Sequence, residues 1–414
     1  MTDDASLESL GPEQLVTLLF AGGRHSGYPY PIYELLRPVA PIHRTAFGNW
    51  VLSRHDDMAS MLRDGRVGRD FEAYLDAGPG LRDAWESSAI LHSQARWMLN
   101  LHPPDHTRIR RLFAKAFTPT RVEHLRVHVA ELVDGLLDRA RHAETFDVIA
   151  DFAFQLPITV IAELLGVPRA ERDQFLDWTQ RISASVEPVR PPEVLERADQ
   201  AVEAYEAYFC GLIAERRRAP RDDLLSALIS VRDDDGTALS EDELVANTIL
   251  LFSAGFDTTM NLIGNAVLAL ASHPDQYRAL RSNPQLVAGA VEEVLRYDGS
   301  VQLADRTVLH DFQLDGHLLH AGDTVIALLG AGNRDPSRYD AADRFDIRRT
   351  DVKPLTFGGG IHYCLGAALG RMEAQVAVAS LTKRFDVPQL LDPEPRYRPT
   401  LTNHGLRRLE VSWR

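Results

Sequence analysis

Cys364 stands in the stretch FGGGIHYCLG, residues Phe357 to Gly366, behind three consecutive glycines and two positions after His362. A cysteine ligates or attacks as its thiolate, which forms where positive potential offsets the charge. The text after it, LGAALGRMEAQVAVASL, has helical spacing and puts the sulfur at a helix N-terminus, beside free N–H groups and the positive end of the helix dipole. Gly358, Gly359 and Gly360 remove side chains and let backbone approach a large flat group, and Gly366 leaves room one turn further on. A thiolate that pushes electron density onto haem iron favours O–O cleavage, so the loop suits an axial haem ligand. Three other uses stand beside it: a small buried residue in a glycine loop, a zinc ligand with His362 alone for company, and a nucleophile with His362 as base. Cys210, in YEAYFCGLIAE, reads as core on an apolar helical face, and two cysteines make no disulfide framework.

These residues need elements to position them. Helical periodicity dominates, with strand-like patches near both ends. PYPIYELLR reads as a short helix, PIHRT and NWVLS as strands, and HDDMASMLRDG as another helix. Residues 67–101 read as a long irregular segment, the kind that forms lids or binding loops. A helical series runs from PDHTRIRRLFAKAF to about Val231, broken by the proline-rich connector SASVEPVRPPE. The clearest element starts at Ser240, where Ser240 and Glu243 form a capping box, and stops before Pro274. At about 1.5 Å per residue it spans a whole domain and is expected to be central and buried. A helix through VAGAVEEVLRYD, strands in TVLHDFQLDG and DTVIALL, and the coil GNRDPSRYDAADRFDIRR follow. The expected class is mainly α with small β-sheets, an α+β fold in one domain over residues 1–414.

Composition excludes several functions. The chain has 414 residues, 45% hydrophobic, with a formal charge of −14, which argues against a general nucleic-acid binder. Apolar runs such as LVTLLF are far shorter than the roughly 20 residues of a membrane span, and no basic-then-apolar N-terminal signal is visible. A cytoplasmic protein without a membrane partner is expected.

Phe357, Gly360, Cys364 and Gly366 fit F-x-x-G-x-x-x-C-x-G, and by this motif the chain resembles the cytochrome P450 family; the likeness extends in order along nearly the whole chain. AGFDTT, Ala254 to Thr259, is similar to the family's A/G-G-x-D/E-T-T, and Phe256 fills a slot often held by a polar residue. The resemblance implies haem b held by the Cys364 thiolate and a central helix that opens at Ala254 and Gly255 over the iron. Thr258 is then a hydrogen-bond partner of bound oxygen, and Asp257 relays protons to it, since splitting O–O heterolytically needs protons at the distal oxygen. Glu293 and Arg296 match E-x-x-R. The same spacing recurs at Glu34/Arg37 and Glu123/Arg126, so only its place before the cysteine identifies it. By resemblance the pair locks onto Arg344 in the coil, as a structural ion-pair network. His106 and Arg110, with Arg306 and His362, match the family's partners for the haem propionates, and Leu99, Phe117 and Phe357 its apolar haem contacts.

The resemblance places the substrate pocket among residues 67–101, 180–195, 250–254, 300–304 and 402–405, with Leu250, Ser253, Val301, Leu303 and His404 as candidate linings. Mainly apolar walls with some hydroxyls suit a mid-sized hydrophobic small molecule, as in natural-product tailoring by hydroxylation, epoxidation or oxidative coupling. No flavin reductase is fused to the chain, so electrons are expected from a ferredoxin with its reductase. Arg108, Arg111, Lys115, Lys353 and Arg371 are the expected basic docking patch. The resemblance implies a monooxygenase using O₂; a peroxide-driven enzyme and a non-catalytic haem sensor or scaffold are the alternatives, and neither has a use for both Asp257 and Thr258.

Overall fold

A computed structural model of the chain describes residues 7–78, 80–141 and 143–413. Its axis is one helix, Glu241–Ser272, started by the expected capping box: the Ser240 hydroxyl accepts from the Glu243 N–H (3.2 Å), and the Glu243 carboxylate accepts from the Ser240 N–H (2.9 Å). Three acidic residues in its first turn suit the positive end of the dipole. Helices Gln155–Leu165, Pro192–Arg218, Val287–Tyr297 and Ala367–Arg384 pack around it. Phe252 buries its ring against Phe175, Tyr205 and Phe209 on one side, and Phe256 packs on Phe252 and Phe154. On another side Gly370 of Ala367–Arg384 lies against Thr259.

The central helix does not open. It is continuous through Ala254 and Gly255, and the Thr258 hydroxyl donates back to the Ala254 carbonyl at 2.9 Å. The mid-helix glycine has a packing reason instead: a Cβ at Gly255 would lie 3.1 Å from Ile161 Cδ1.

Strands are few and peripheral. A five-stranded sheet runs in the spatial order Ile42–Arg44, Trp50–Leu52, Thr324–Leu328, Leu303–Val308, Val67–Gly68. Leu303–Val308 is antiparallel to Thr324–Leu328, with Arg306 opposite Val325, so the strand carries Arg306 in a fixed register. Two small sheets lie elsewhere, one of them joining Phe146–Asp147 to Glu410–Ser412 near the C-terminus.

Three expectations need correction. Residues 67–101 hold strand Val67–Gly68 and short helices Phe71–Ala77, Leu81–Ala84 and Ala89–Gln94, two of them capped by Asp70 and Ser88. Their brevity hides their periodicity. Val148–Leu165 is long and apolar enough to cross a membrane by length and composition, but 78% of it is buried in the core. Cys210 is exposed on Pro192–Arg218, while Leu212 and Ile213 take the inward positions.

Candidate active site

The cysteine loop begins with two left-handed glycines, Gly358 at φ +70° and Gly360 at φ +64°. A Cβ at Gly360 would overlap the Leu62 carbonyl oxygen, so this glycine serves close packing on the helix His55–Met61 as well as the turn. The chain then folds back, and the Cys364 N–H donates to the Phe357 carbonyl at 2.9 Å. The Cys364 side chain is accessible yet enclosed by protein, with the N–H groups of Gly366 and Ala367 directed at its sulfur. Burial pushes the thiol up; those N–H groups, Arg110 and Arg371 act against it. Gly366 has only the Cys364 sulfur near the position of a Cβ, at 4.0 Å, so the space beside the sulfur is open. In the central helix Ala254 is exposed and Gly255 and Thr258 are partly so, between buried flanks.

Around the loop the structure collects more cationic groups than anions, with Asp305, paired to Arg69, as the carboxylate beside them. His106 is buried and neither ring nitrogen has a partner; His362 Nε2 is also unpaired, and the two rings lie 4.4 Å apart. Arg306 is buried with only the Asp305 carbonyl, at 2.7 Å, as acceptor. Arg110 donates to the Tyr363 carbonyl at 2.5 Å. Burial pushes His106 down to about 4, helped by Arg110, His102 and Arg306. Burial, Arg306 and Arg69 push His362 down to about 2, and burial with Arg69 takes Arg306 down to about 9. Orphaned donors and a buried guanidinium to which no carboxylate is hydrogen-bonded fit a ligand that brings two carboxylates of its own. The donor set therefore fits the propionates of haem, and the accessible sulfur its iron. Phe117 is buried nearby in sequence, Leu99 is 39% exposed, and the Phe357 ring carries the Arg371 guanidinium at 4.3 Å.

Glu293 and Arg296 are wholly buried and bidentate, at 2.7 and 2.8 Å. Arg296 also donates to the carbonyls of Asn333, Ala342 and Arg344. The third charged member is Arg349, 3.4 Å from Glu293, rather than Arg344. The Arg344 side chain points outward to Asp346 at 2.8 Å and contributes only its carbonyl. The coil carries several arginines, and spacing alone does not select the inward one.

The proposed pocket changes in three places. His404 is fully buried, its Nε2 2.8 Å from Asp298 and its ring stacked on Tyr397. Leu303 faces the core shared with Leu15, Tyr33 and Leu328. Ser253 is buried beside the Tyr205 hydroxyl, on the aromatic side of the central helix. Leu250 and Val301 remain part-exposed. The expected basic patch is cancelled where it stands: Arg108 pairs with Glu243, Arg111 with Asp233, Lys115 with Asp234, Lys353 with Asp351 and Arg371 with Glu292.

Contacts across long sequence separations were not legible. Asp257 is buried against Arg398 at 3.0 Å, 141 residues away. Arg69 pairs with Asp305 at 2.6 Å, beside the His362 and Arg306 cluster. Arg190 of the proline-rich connector hydrogen-bonds the Tyr74 hydroxyl and lies over its ring, joining the connector to the helix Phe71–Ala77. Glu187 of the same connector accepts from the N–H groups of Leu401 and Thr402.

Residues 72–409 match the family model described as Cytochrome P450. The chain is 41% identical over 398 residues to "Cytochrome P450 107B1" of Saccharopolyspora erythraea, covering 95% of each chain. It is 41% identical over 397 residues to "Cytochrome P450 monooxygenase PikC" of Streptomyces venezuelae, covering 93% of this chain and 91% of that one. The crystal structure of P450BioI in complex with a hexadec-9Z-enoic acid ligated acyl carrier protein is similar at TM-score 0.87 and 36% identity, over 94% of this chain and 99% of that one. An enclosed, accessible cysteine just before a helix that packs on the central one, and a match over most of the length, lead to one assignment: the chain belongs to the cytochrome P450 family, whose monooxygenases are oxidoreductases.

Proposed function

We propose that this P450 holds haem b through the Cys364 thiolate and inserts one oxygen atom from O₂ into a mid-sized, largely hydrophobic small molecule. The observation that carries the reading is the enclosed but accessible Cys364 sulfur beside buried, unpaired His106, His362 and Arg306. His106, Arg110, Arg306 and His362 would hold the propionates, and Leu99, Phe117 and Phe357 the apolar ring. When bound, haem supplies activation of O₂ at its iron. The chain supplies the rest. The Gly366 and Ala367 N–H groups stabilise negative charge on the sulfur. The Thr258 hydroxyl, anchored as a donor on the Ala254 carbonyl, presents its oxygen as an acceptor on the accessible face of the helix. Asp257, next along the helix, is the acid that hands on protons. The lid clasp Arg190–Tyr74 excludes water from the pocket.

The substrate class rests on the apolar half-buried Leu250 and Val301 and on relatives whose names include PikC and "Polyketide biosynthesis cytochrome P450 PksS". A natural-product tailoring hydroxylation or epoxidation in the cytoplasm, by a single catalytic unit over residues 1–414, is the reading. Electrons come from a separate ferredoxin and its reductase. The five paired basic residues do not supply the docking charge, so mutating them should leave reduction rates close to wild type. A spectrum of the reduced protein under carbon monoxide tests the core. Wild type should give the strongly red-shifted Soret band of thiolate-ligated haem, and Cys364→Ala should lose it. Haem bound without that band in wild type would overturn the reading.

A further inference from the structure

Asp257 is a carboxylate that its own helix cannot neutralise. It is 2% exposed, and among the described residues its one ion pair is with Arg398, whose Nη1 donates to Oδ1 at 3.0 Å. Asp257 Oδ2 has no partner, and neither do Nε and Nη2 of Arg398. The neighbouring positions Phe256, Thr258 and Asn261 are uncharged.

Arg398 reaches this acid by a rigid route. Tyr397 and Leu406 form an isolated bridge, the Arg398 N–H donates to the Gly405 carbonyl and the Arg407 N–H to the Arg396 carbonyl, both at 2.8 Å. Gly405 is seated so close to Asn261, one helical turn beyond Asp257, that any Cβ would overlap the asparagine side chain. Gly27 fits equally tightly against the Arg398 carbonyl. Gly405 thus lets the C-terminal hairpin dock on the central helix at the level of the acid, and Gly27 lets the helix Arg24–Gly27 close on the hairpin's other side. The Arg398 side chain, 18% exposed, spans from the surface to that buried carboxylate.

We infer that Arg398 is a positioning residue for Asp257, fixing its carboxyl group through Oδ1 alone and leaving Oδ2 as the oxygen that takes and gives the proton. The inference rests on the proton-delivery reading of Asp257 and Thr258, and extends it to a residue from the far end of the chain. The end-on geometry is what matters. An arginine fork would occupy both carboxylate oxygens, whereas a single N–H contact neutralises the charge and spares one. Without the cation, a carboxylate this buried takes up a proton and keeps it.

Arg398→Leu, Arg398→Lys, Asp257→Asn and the Arg398→Leu/Asp257→Asn double variant test this. Infrared difference spectra at neutral pH need neither substrate nor turnover. Arg398→Leu should show a protonated-carboxyl stretch absent from wild type and Arg398→Lys, and the double variant should lose it. With myristic acid as the probe substrate, hydrogen peroxide released per O₂ consumed should rise at least about tenfold in Arg398→Leu, with its pH profile displaced upward, and stay near wild type in Arg398→Lys. Should Arg398→Leu fail to fold, Arg398→Gln, which keeps a donor without the charge, carries the same comparison. No new carboxyl band and an unchanged pH profile would overturn the inference. If Asp257→Asn leaves peroxide release at the wild-type level, the proton-delivery reading falls whatever Arg398 does. If Asp257→Asn impairs coupling and the Arg398 variants do not, the inference falls alone.

Discussion

Arg344 and Arg349 illustrate how one side chain's direction settles its role. Both lie in the same coil five residues apart, yet Arg349 points in to Glu293 and Arg344 out to Asp346. Arg344→Leu should therefore change unfolding free energy by no more than about 0.5 kcal/mol in urea titration. Arg349→Leu should cost about 1–3 kcal/mol, because it withdraws a partner from a fully buried carboxylate. Equal effects would show that the coil is not held through Glu293. The same reasoning separates His106, neither of whose ring nitrogens has a partner, and His362, whose Nε2 has none, from His404, whose Nε2 is taken by Asp298 and whose Nδ1 alone is unpaired. A ring with no anionic partner has room for a ligand's carboxylate, whereas one already paired with Asp298 belongs to the core.

At the level of elements, the cysteine loop depends on how closely it lies on the helix His55–Met61 and the residues just after it. Gly360→Ala should fail to hold haem after reconstitution, measured as bound haem per protein, because the new methyl meets the Leu62 carbonyl at a positive φ. Gly366→Ala is the contrasting variant, since only the Cys364 sulfur is near. It should fold normally and alter the haem spectrum. Normal haem content in Gly360→Ala would mean the loop can rest elsewhere. The central helix depends on local chemistry at its start. Ser240→Ala removes one half of the capping box and should cost about 1 kcal/mol in denaturant unfolding.

For the whole molecule, buried charge sets how stability varies with pH. Glu373, on the helix behind the cysteine loop, is fully buried with Oε2 unpaired, and burial raises its carboxyl well above the usual range. The folded state then holds a proton that the unfolded chain releases above about pH 4.3, so this residue lowers stability as pH rises from there toward its folded value. Glu373→Gln should raise the melting temperature at pH 7.5 and change it little at pH 4.5. A gain of the same size at both values would locate the effect in packing instead. The proposed lid is a second property of the whole, since Arg190–Tyr74 and Glu187 with Leu401 and Thr402 tie together three segments of the proposed pocket. Arg190→Ala should speed both binding and release of a spin-shifting ligand in stopped flow, with little change in affinity.

Much of this protein could be read before its fold was known, wherever the deciding interactions are local. The capped central helix follows from Ser240, Glu243 and Pro274, and the cysteine loop from glycines, a thiol and a helix start packed into ten residues. The propionate candidates His106 and Arg110 share one helix face for the same reason, four residues being about one turn. Tertiary structure alone decided which arginine reaches Glu293, that Arg398 meets Asp257, that His404 turns into the core, and that five basic residues spend their charge on acidic neighbours. All of those but the Lys353–Asp351 pair depend on surfaces brought together from positions tens to hundreds of residues apart. Burial, unlike periodicity, exists only once the whole chain has closed around a side chain.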